Sequence, residues 1–378
     1  MSLKEHFSRF LGSDPDRLHF AAHSHHPWPD VSYEAHNQAW LDAAVHMDDK
    51  WDHMFGSVVP ETAELISGIL GLVSGDTLTF APNTHELLLR IFSCLDPPVR
   101  ILTTDSEFHS FTRQSRRWEE AGLAIIDRVP AEPFDTFSER FTSEARSGVH
   151  DLIFLSQVFY NSGFVVPELD RIVSSVSEDK AFIVIDGYHA FMARPVNIGS
   201  IQDRVFYLAG GYKYAMSGEG VCFLHCPPGY GPRPVNTGWY AGFGQLETGV
   251  SQLVPYGEDG SRFSGATTDP SGLYRMRAVL SWLDDEAIGP AEISEHVIGL
   301  QDRFLKSGVR PGELLPPQGV ERGNFFTFET DEAAEIYKAL HDQKVITDYR
   351  GNRFRIGFGI YQDTDDVDRL VKALGAAL

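Results

Sequence analysis

The chain has 378 residues, 42% of them hydrophobic, which is too much for one hydrophobic core and suits two packed domains. Its formal net charge of −21 repels phosphate backbones and anionic lipid heads, so nucleic acid and membrane are not expected as partners. No apolar run approaches the roughly 20 residues that span a bilayer.

The start, Met-Ser-Leu-Lys-Glu-His, lacks the apolar stretch of a signal peptide. The three cysteines, Cys94, Cys222 and Cys226, point to a reducing, cytoplasmic setting. Cys222 and Cys226 lie in VCFLHC, which reads as a strand. Four strand residues span about 13 Å, too far for a disulfide or a shared metal, so both read as core residues.

Along the chain, Trp40, Ala44, Met47, Trp51 and Phe55 recur at helical spacing and predict a helix from Ser32 to Phe55. A second helix runs from Pro60 to Leu70, with proline at its start. Strands and helices then alternate. Strands are expected at 77–81, 99–104, 123–129, 151–158, 181–186, 204–209 and 220–225. Helices are expected at 84–94, 110–121, after Pro133, and at 167–176. Apolar strands alternating with helices imply an α/β fold with a mostly parallel sheet covered on both faces. From Pro232 to Gly260 the chain is a Gly/Tyr/Pro-rich connection. Helices at 271–285 and 290–305 follow. The tail reads strand 324–329, helix 331–341, strand 354–360 and helix 364–374, a small α+β unit. The expected division is 1–55 as N-terminal segment and linking helix, 56–265 as large domain and 266–378 as small C-terminal domain.

Three features sit just beyond strand C-terminal ends, where an open α/β sheet places its ligands. In IVIDGYHAF, Asp186 ends an apolar strand and His189 follows three residues later. A carboxylate there can pair with a buried cation or cap a helix. In YLAGGYKYAMSGEG, Lys213 follows two glycines and stands between two tyrosines. Desolvation in such a pocket favours the neutral amine that attacks an aldehyde; the other reading is a surface lysine. In FAPNTHELLL, Asn83 and Thr84 open a helix, whose free N–H groups and dipole suit a phosphate.

Together, in this order on one sheet, these features resemble the fold-type I pyridoxal 5′-phosphate (PLP) enzymes of the class V aminotransferase family, in particular its kynureninase branch. The resemblance runs from about Leu18 to the C-terminus. It is carried by IDGYHAF, GGYKYAMSGEG, TGWY, RFSGATTDPSGL and ITDYRGNRFRIGFGIYQDTDDVDRL. It implies that Lys213 forms an imine with PLP, that Asp186 binds the pyridine nitrogen, and that His189 lies beside the ring. It further implies that Arg355 receives the substrate's α-carboxylate, with Arg350 as a second candidate. The ring's outer face would be covered from DSEFHSF, by Phe108 or His109. Tyr212, Trp239 and Thr267 match phosphate-contacting positions, Trp239 and Thr267 from a second subunit, so a homodimer with shared sites is implied. Tyr212 could also supply a proton.

Two stretches depart from the kynureninase pattern. LHFAAHSHHPWPD stands where a glycine/asparagine-rich turn is expected, and carries His19, His23, His25 and His26. No carboxylate or cysteine sits at a matching spacing for a metal. His23 and Ser24 are therefore expected at the mouth of the site, against the substrate. Phe111 replaces an acidic residue expected near the phosphate. The expected activity is a kynureninase-like hydrolase or lyase acting on an amino acid, with an aminotransferase as alternative. Cysteine desulfurase fits less well, since no cysteine follows Cys226. A PLP-binding regulator would need a DNA-binding domain for which the chain has no room.

Overall fold

The computed structural model describes residues 3–177, 181–229, 233–245 and 253–378. Its centre is a seven-stranded sheet in the order Leu78–Ala81, Cys222–His225, Val205–Gly210, Phe182–Asp186, Leu152–Ser156, Val99–Thr104, Ala124–Val129. Cys222–His225 runs antiparallel to both neighbours. The other neighbouring pairs are parallel.

The strands bury side chains on both faces, and the two-residue period sorts them into two cores. Ile183 and Ile185 face one way, with Leu102, Ile153, Leu155 and Tyr207. The helices Val59–Leu70, Phe137–Ala145 and Leu169–Ser175 contribute Ile66, Phe141 and Ile172 to that core. Val184 faces the other way, with Ile101, Phe154 and Phe206, against Leu87, Ile91, Phe111 and Trp118 from the helices Thr84–Phe92 and His109–Glu120. The helix Ser271–Asp285 buries Leu273, Met276, Val279 and Leu280 in the first of these cores.

A four-stranded antiparallel sheet follows, ordered Asp348–Arg350, Arg353–Gly357, Phe325–Glu329, Glu313–Leu315. It has its own core, including Phe304, Phe326, Phe354, Ile356 and Leu370. Leu18 and Phe20 belong to this core too, because Leu18–His19 pairs in parallel with Val345–Ile346. These short strands and Glu313–Leu315 were too brief to register as patterns. Phe304 is fully buried, its ring 5.6 Å from that of Phe326. Phe304→Ala is expected to cost about 3–5 kcal/mol in chemical denaturation of this unit. A loss below about 1 kcal/mol would mean the site collapses around the gap.

One expected helix is broken. Asp30–His46 is helical, but Met47 takes a positive φ of 52°. The chain then continues through short helical segments, Met47–Asp49, Lys50–His53 and Met54–Val58. Even before the break, the expected apolar face is not the buried one. Trp40 is 72% and Met47 68% exposed, whereas Ser32 and Ala39 are buried. The connection expected from Pro232 to Gly260 lies partly outside the described residues.

Candidate functional site

The C-terminal ends of the parallel strands open onto one cavity of about 1130 Å³. Asn83, Thr84, Phe108, His109, Asp186, His189, Tyr212 and Lys213 all line it. Each arrives from a strand end, the loop after it or the first residue of the following helix. Asp186 is the last residue of its strand, and its Oδ1 accepts from the Tyr188 N–H at 2.9 Å. Gly210 lets the next strand pass close by. A Cβ there would lie 2.3 Å from the Tyr188 hydroxyl and 2.4 Å from Cys222 Sγ.

Lys213 is buried, and its Nζ lies 2.8 Å from His189 Nε2. Three rings surround that nitrogen: Tyr188 at 4.7 Å, Phe108 at 5.3 Å and Tyr212 at 5.7 Å. Burial pulls the Lys213 amine down to about 7, although the nearby Asp186 carboxylate opposes this. A large share of it is therefore neutral and nucleophilic near pH 7. Burial, then Lys213, holds His189 well below the ordinary histidine range, so its ring is neutral. Its Nδ1 is buried without a hydrogen-bond partner. Burial raises the Asp186 carboxyl above its usual range, and the Tyr188 N–H and Lys213 only partly offset this. Tyr212 is pushed up to about 12 by burial and keeps its proton.

Also on the cavity wall, Asn83 caps the helix Thr84–Phe92, its side chain accepting from the Glu86 N–H at 2.9 Å. The N–H groups of that first turn are the expected anion seat. Phe108 precedes the helix His109–Glu120, and His109 begins it. The Lys213 amine faces Phe108. Phe111 lies elsewhere, stacked on Phe154 at 3.8 Å beneath the sheet. Cys222, expected in the core, is buried but also lines the cavity. Its thiol is pushed up to about 12 by burial.

Arg355, Arg350, His23 and Ser24 do not line this cavity. Arg355 is buried behind Tyr160, which does line it, and its guanidinium carbon lies 5.9 Å from that ring's centre. Arg355 donates to the Tyr160 carbonyl at 2.6 Å and to Asp348 Oδ2. Asp348 also accepts from Arg350 at 2.7 Å. The four histidines disperse. His19 bonds Tyr361, His26 bonds the Pro27 carbonyl, and His25 pairs with Glu219 on the cavity wall at 3.2 Å. His23 is buried against Phe325. Trp239 and Thr267 bond each other at 3.0 Å, also away from the cavity lining.

Sequence reasoning missed Glu107 and Asp348, both inside motifs it quoted. Glu107 accepts from the Ser156 N–H at 3.1 Å, bonds Thr104 and Ser156 through their hydroxyls, and is pushed up to about 8 by burial. Burial disfavours the charged form of both this carboxyl and Asp186. Asp348 faces Arg355 directly across an antiparallel pair of strands. The alternating charges of DYRGNRFR around a Gly-Asn turn were the available signal.

Residues 302–374 match the family model of the kynureninase C-terminal domain. The chain is 28% identical to isopenicillin N epimerase of Streptomyces clavuligerus over 348 residues, 83% of this chain and 82% of that protein. It is 20% identical to a Vibrio cholerae protein described as "Probable cysteine desulfurase" over 336 residues, 83% and 81% of the two chains. In fold it is similar to a mutant of C-DES with glycine covalently linked to its PLP cofactor. That likeness has a TM-score of 0.82 at 15% identity, covering 99% of both chains. The architecture is thus the fold-type I arrangement, a large mostly parallel sheet with a smaller C-terminal antiparallel sheet.

Proposed function

We propose that this chain is a PLP-dependent enzyme of the class V aminotransferase family, acting on the side chain of an amino-acid substrate as a kynureninase-like hydrolase or lyase. The observation that carries the reading is Lys213: a buried, half-neutral amine sharing one cavity with Asp186, His189 and a helix N-terminus.

The residues fit the cofactor. Asp186 is a buried carboxylate with a raised pKa, the state expected of an acid awaiting a cationic ring nitrogen. His189 presents an unpartnered Nδ1. In this reading Asp186 would hold the pyridine nitrogen, His189 would lie beside the ring, Phe108 or His109 would cover its outer face, and Asn83 and Thr84 would seat the phosphate. When bound, PLP supplies an electron sink for the bond broken at the substrate's Cα. Lys213, freed by the substrate amine, takes and returns the proton at Cα. In the hydrolytic case water would add to the γ-carbonyl, whose carbon departs as a carboxyl, and Tyr212, protonated at neutral pH, would give a proton to the Cβ left behind. Arg355 receives the α-carboxylate through charge-assisted hydrogen bonds. Burial pushes the Cys222 thiol up to about 12, which disfavours the thiolate that a persulfide-forming nucleophile needs.

Purified protein is to be mixed with a panel of amino acids that includes kynurenine and 3-hydroxykynurenine, following spectrum and products together. Release of an aromatic amine and alanine supports the hydrolase. Formation of a 2-oxo acid with transfer of the amino group supports the aminotransferase. No spectral response to any amino acid would sink both.

The reading includes a homodimer in the cytoplasm, with Trp239 and Thr267 completing the phosphate seat of the neighbouring subunit. The exposed Trp40, Val45 and Met47 offer an apolar face for such a contact. A mixed dimer of Lys213→Ala and Thr267→Ala subunits should then hold one intact site and keep about half the wild-type activity, with each mutant homodimer impaired at both sites. A mixed dimer as inactive as its parents leaves Thr267 as no more than a surface partner of Trp239 in its own subunit.

A further inference from the structure

Behind Tyr160 lies a second group of polar side chains that the chemistry at Lys213 does not use. His23 is 1% exposed, and neither ring nitrogen has a hydrogen-bond partner among the described residues. Its ring stacks on Phe325 at 4.6 Å, and its Nε2 is 3.7 Å from Asp348 Oδ2, too long for a hydrogen bond. Gly357 makes this placement possible, since a Cβ there would lie 2.2 Å from His23 Nδ1. Arg355 Nε and, on the strand residue paired with Arg355, Thr327 Oγ1 are also buried with no hydrogen-bond partner among the described residues. A buried histidine with both nitrogens idle is rare, because each costs desolvation without return.

We propose that His23 completes the carboxylate site: when Arg355 takes the substrate's carboxylate, a proton from solvent moves onto His23, which then pairs with Asp348. The proposal rests on the reading that Arg355 binds that carboxylate.

The electrostatics give the direction. Burial first, and then the Arg355 cation, pull His23 down to about 4, while Asp348 pulls the other way. A carboxylate seated on Arg355 cancels the second of these effects and adds a negative charge to a poorly solvated space. The pull of Asp348, joined by that added charge, is then opposed only by burial and Lys213, and the histidine charges. The other groups facing His23 are poor acceptors. His189 is held neutral by burial and Lys213, and Asp348 is held well below the carboxylate range by His23 and Arg355 despite its burial. Lys213 lowers His23 further, and it titrates on its own account near 7.

Because His23's pKa rises on binding, binding takes up a proton between its free and bound values. Carboxylate affinity therefore falls as pH rises through that window. Propionate, which has no amine to engage Lys213, is the probe. Calorimetry of the cofactor-loaded protein at pH 5 to 7, in buffers of different ionisation enthalpy, counts the protons. Wild type should take up about one proton more per propionate than His23→Gln, and its affinity should lose up to about tenfold per pH unit. His23→Phe, which keeps the stack on Phe325, should match His23→Gln and guards against a misfolded variant. Equal proton uptake in wild type and both variants overturns the proposal. Propionate binding that survives Arg355→Gln unchanged, or is absent from wild type, overturns the reading of Arg355 beneath it.

Discussion

Lys213→Ala is expected to leave a folded protein that no longer forms a borohydride-trappable adduct with PLP and has lost catalysis by several orders of magnitude. The side chain is buried, its amine meets His189 at 2.8 Å, and three aromatic rings close around it. Truncation removes both the attachment point and the base for the Cα proton, so the effect compounds two steps. A pH signature goes with it. With the amine at about 7, its neutral fraction rises roughly tenfold between pH 6 and pH 8 and then levels. The rate at which wild-type apoprotein captures added PLP should follow the same curve. A rate still climbing steeply above pH 9 would place the reactive amine in ordinary solvent and elsewhere in the chain. Retention of the adduct by Lys213→Ala would remove Lys213 from the site altogether.

Asp186→Asn is expected to move stability and function in opposite directions. Burial raises this carboxyl above its unfolded value, so in the apoprotein the charged form is disfavoured by folding. The sign follows from proton linkage. A group with a raised folded pKa binds protons more tightly when folded, so its ionisation destabilises the fold as pH climbs past the unfolded pKa. Asparagine keeps an oxygen for the Tyr188 N–H and carries no charge. The apo variant should therefore melt at or above the wild-type temperature at pH 7. PLP binding should weaken, and turnover should fall by about 10²–10³-fold, the scale of a lost charge-assisted bond of about 3–4 kcal/mol. A variant with a lower apo melting temperature and near-normal turnover would make Asp186 a structural cap.

The large sheet was legible in the sequence because both of its faces are buried. Strands such as Phe182–Asp186 and Val205–Gly210 are continuous apolar runs, and their ends carry the unusual residues. Asp186, Lys213 and Thr84 stood out as polar groups at the ends of such runs. The linking helix misled for a local reason. Trp40 and Met47 keep helical spacing, but the positive φ at Met47 ends the register before the second half of the pattern. Glu107 and Asp348 stayed hidden because their significance is tertiary. Glu107 becomes unusual only when Ser156, about 50 residues on, closes over it. Asp348 reads as an ordinary hairpin charge until Tyr160 and His23, from distant parts of the chain, meet the Arg355 it holds. Side-chain burial of that kind has no periodic signature.

The pairing of Leu18–His19 with Val345–Ile346 has a bearing on how the molecule is made. During synthesis the N-terminal segment emerges first, yet the edge it joins is translated more than 320 residues later. At a typical elongation rate of about 5–20 residues per second, that is a delay of tens of seconds at most for bacterial speeds and longer for slower ribosomes. Through that interval Leu18 and Phe20 have no core of their own, since their neighbours Phe326, Phe354 and Ile356 do not yet exist. The large sheet, whose strands lie between residues 78 and 225, can assemble while the N-terminal segment waits. The nascent chain thus gains its Lys213 pocket before it gains His23, and a ribosome stalled short of the last hairpin would release a protein with an assembled sheet and an open, unpaired N-terminus.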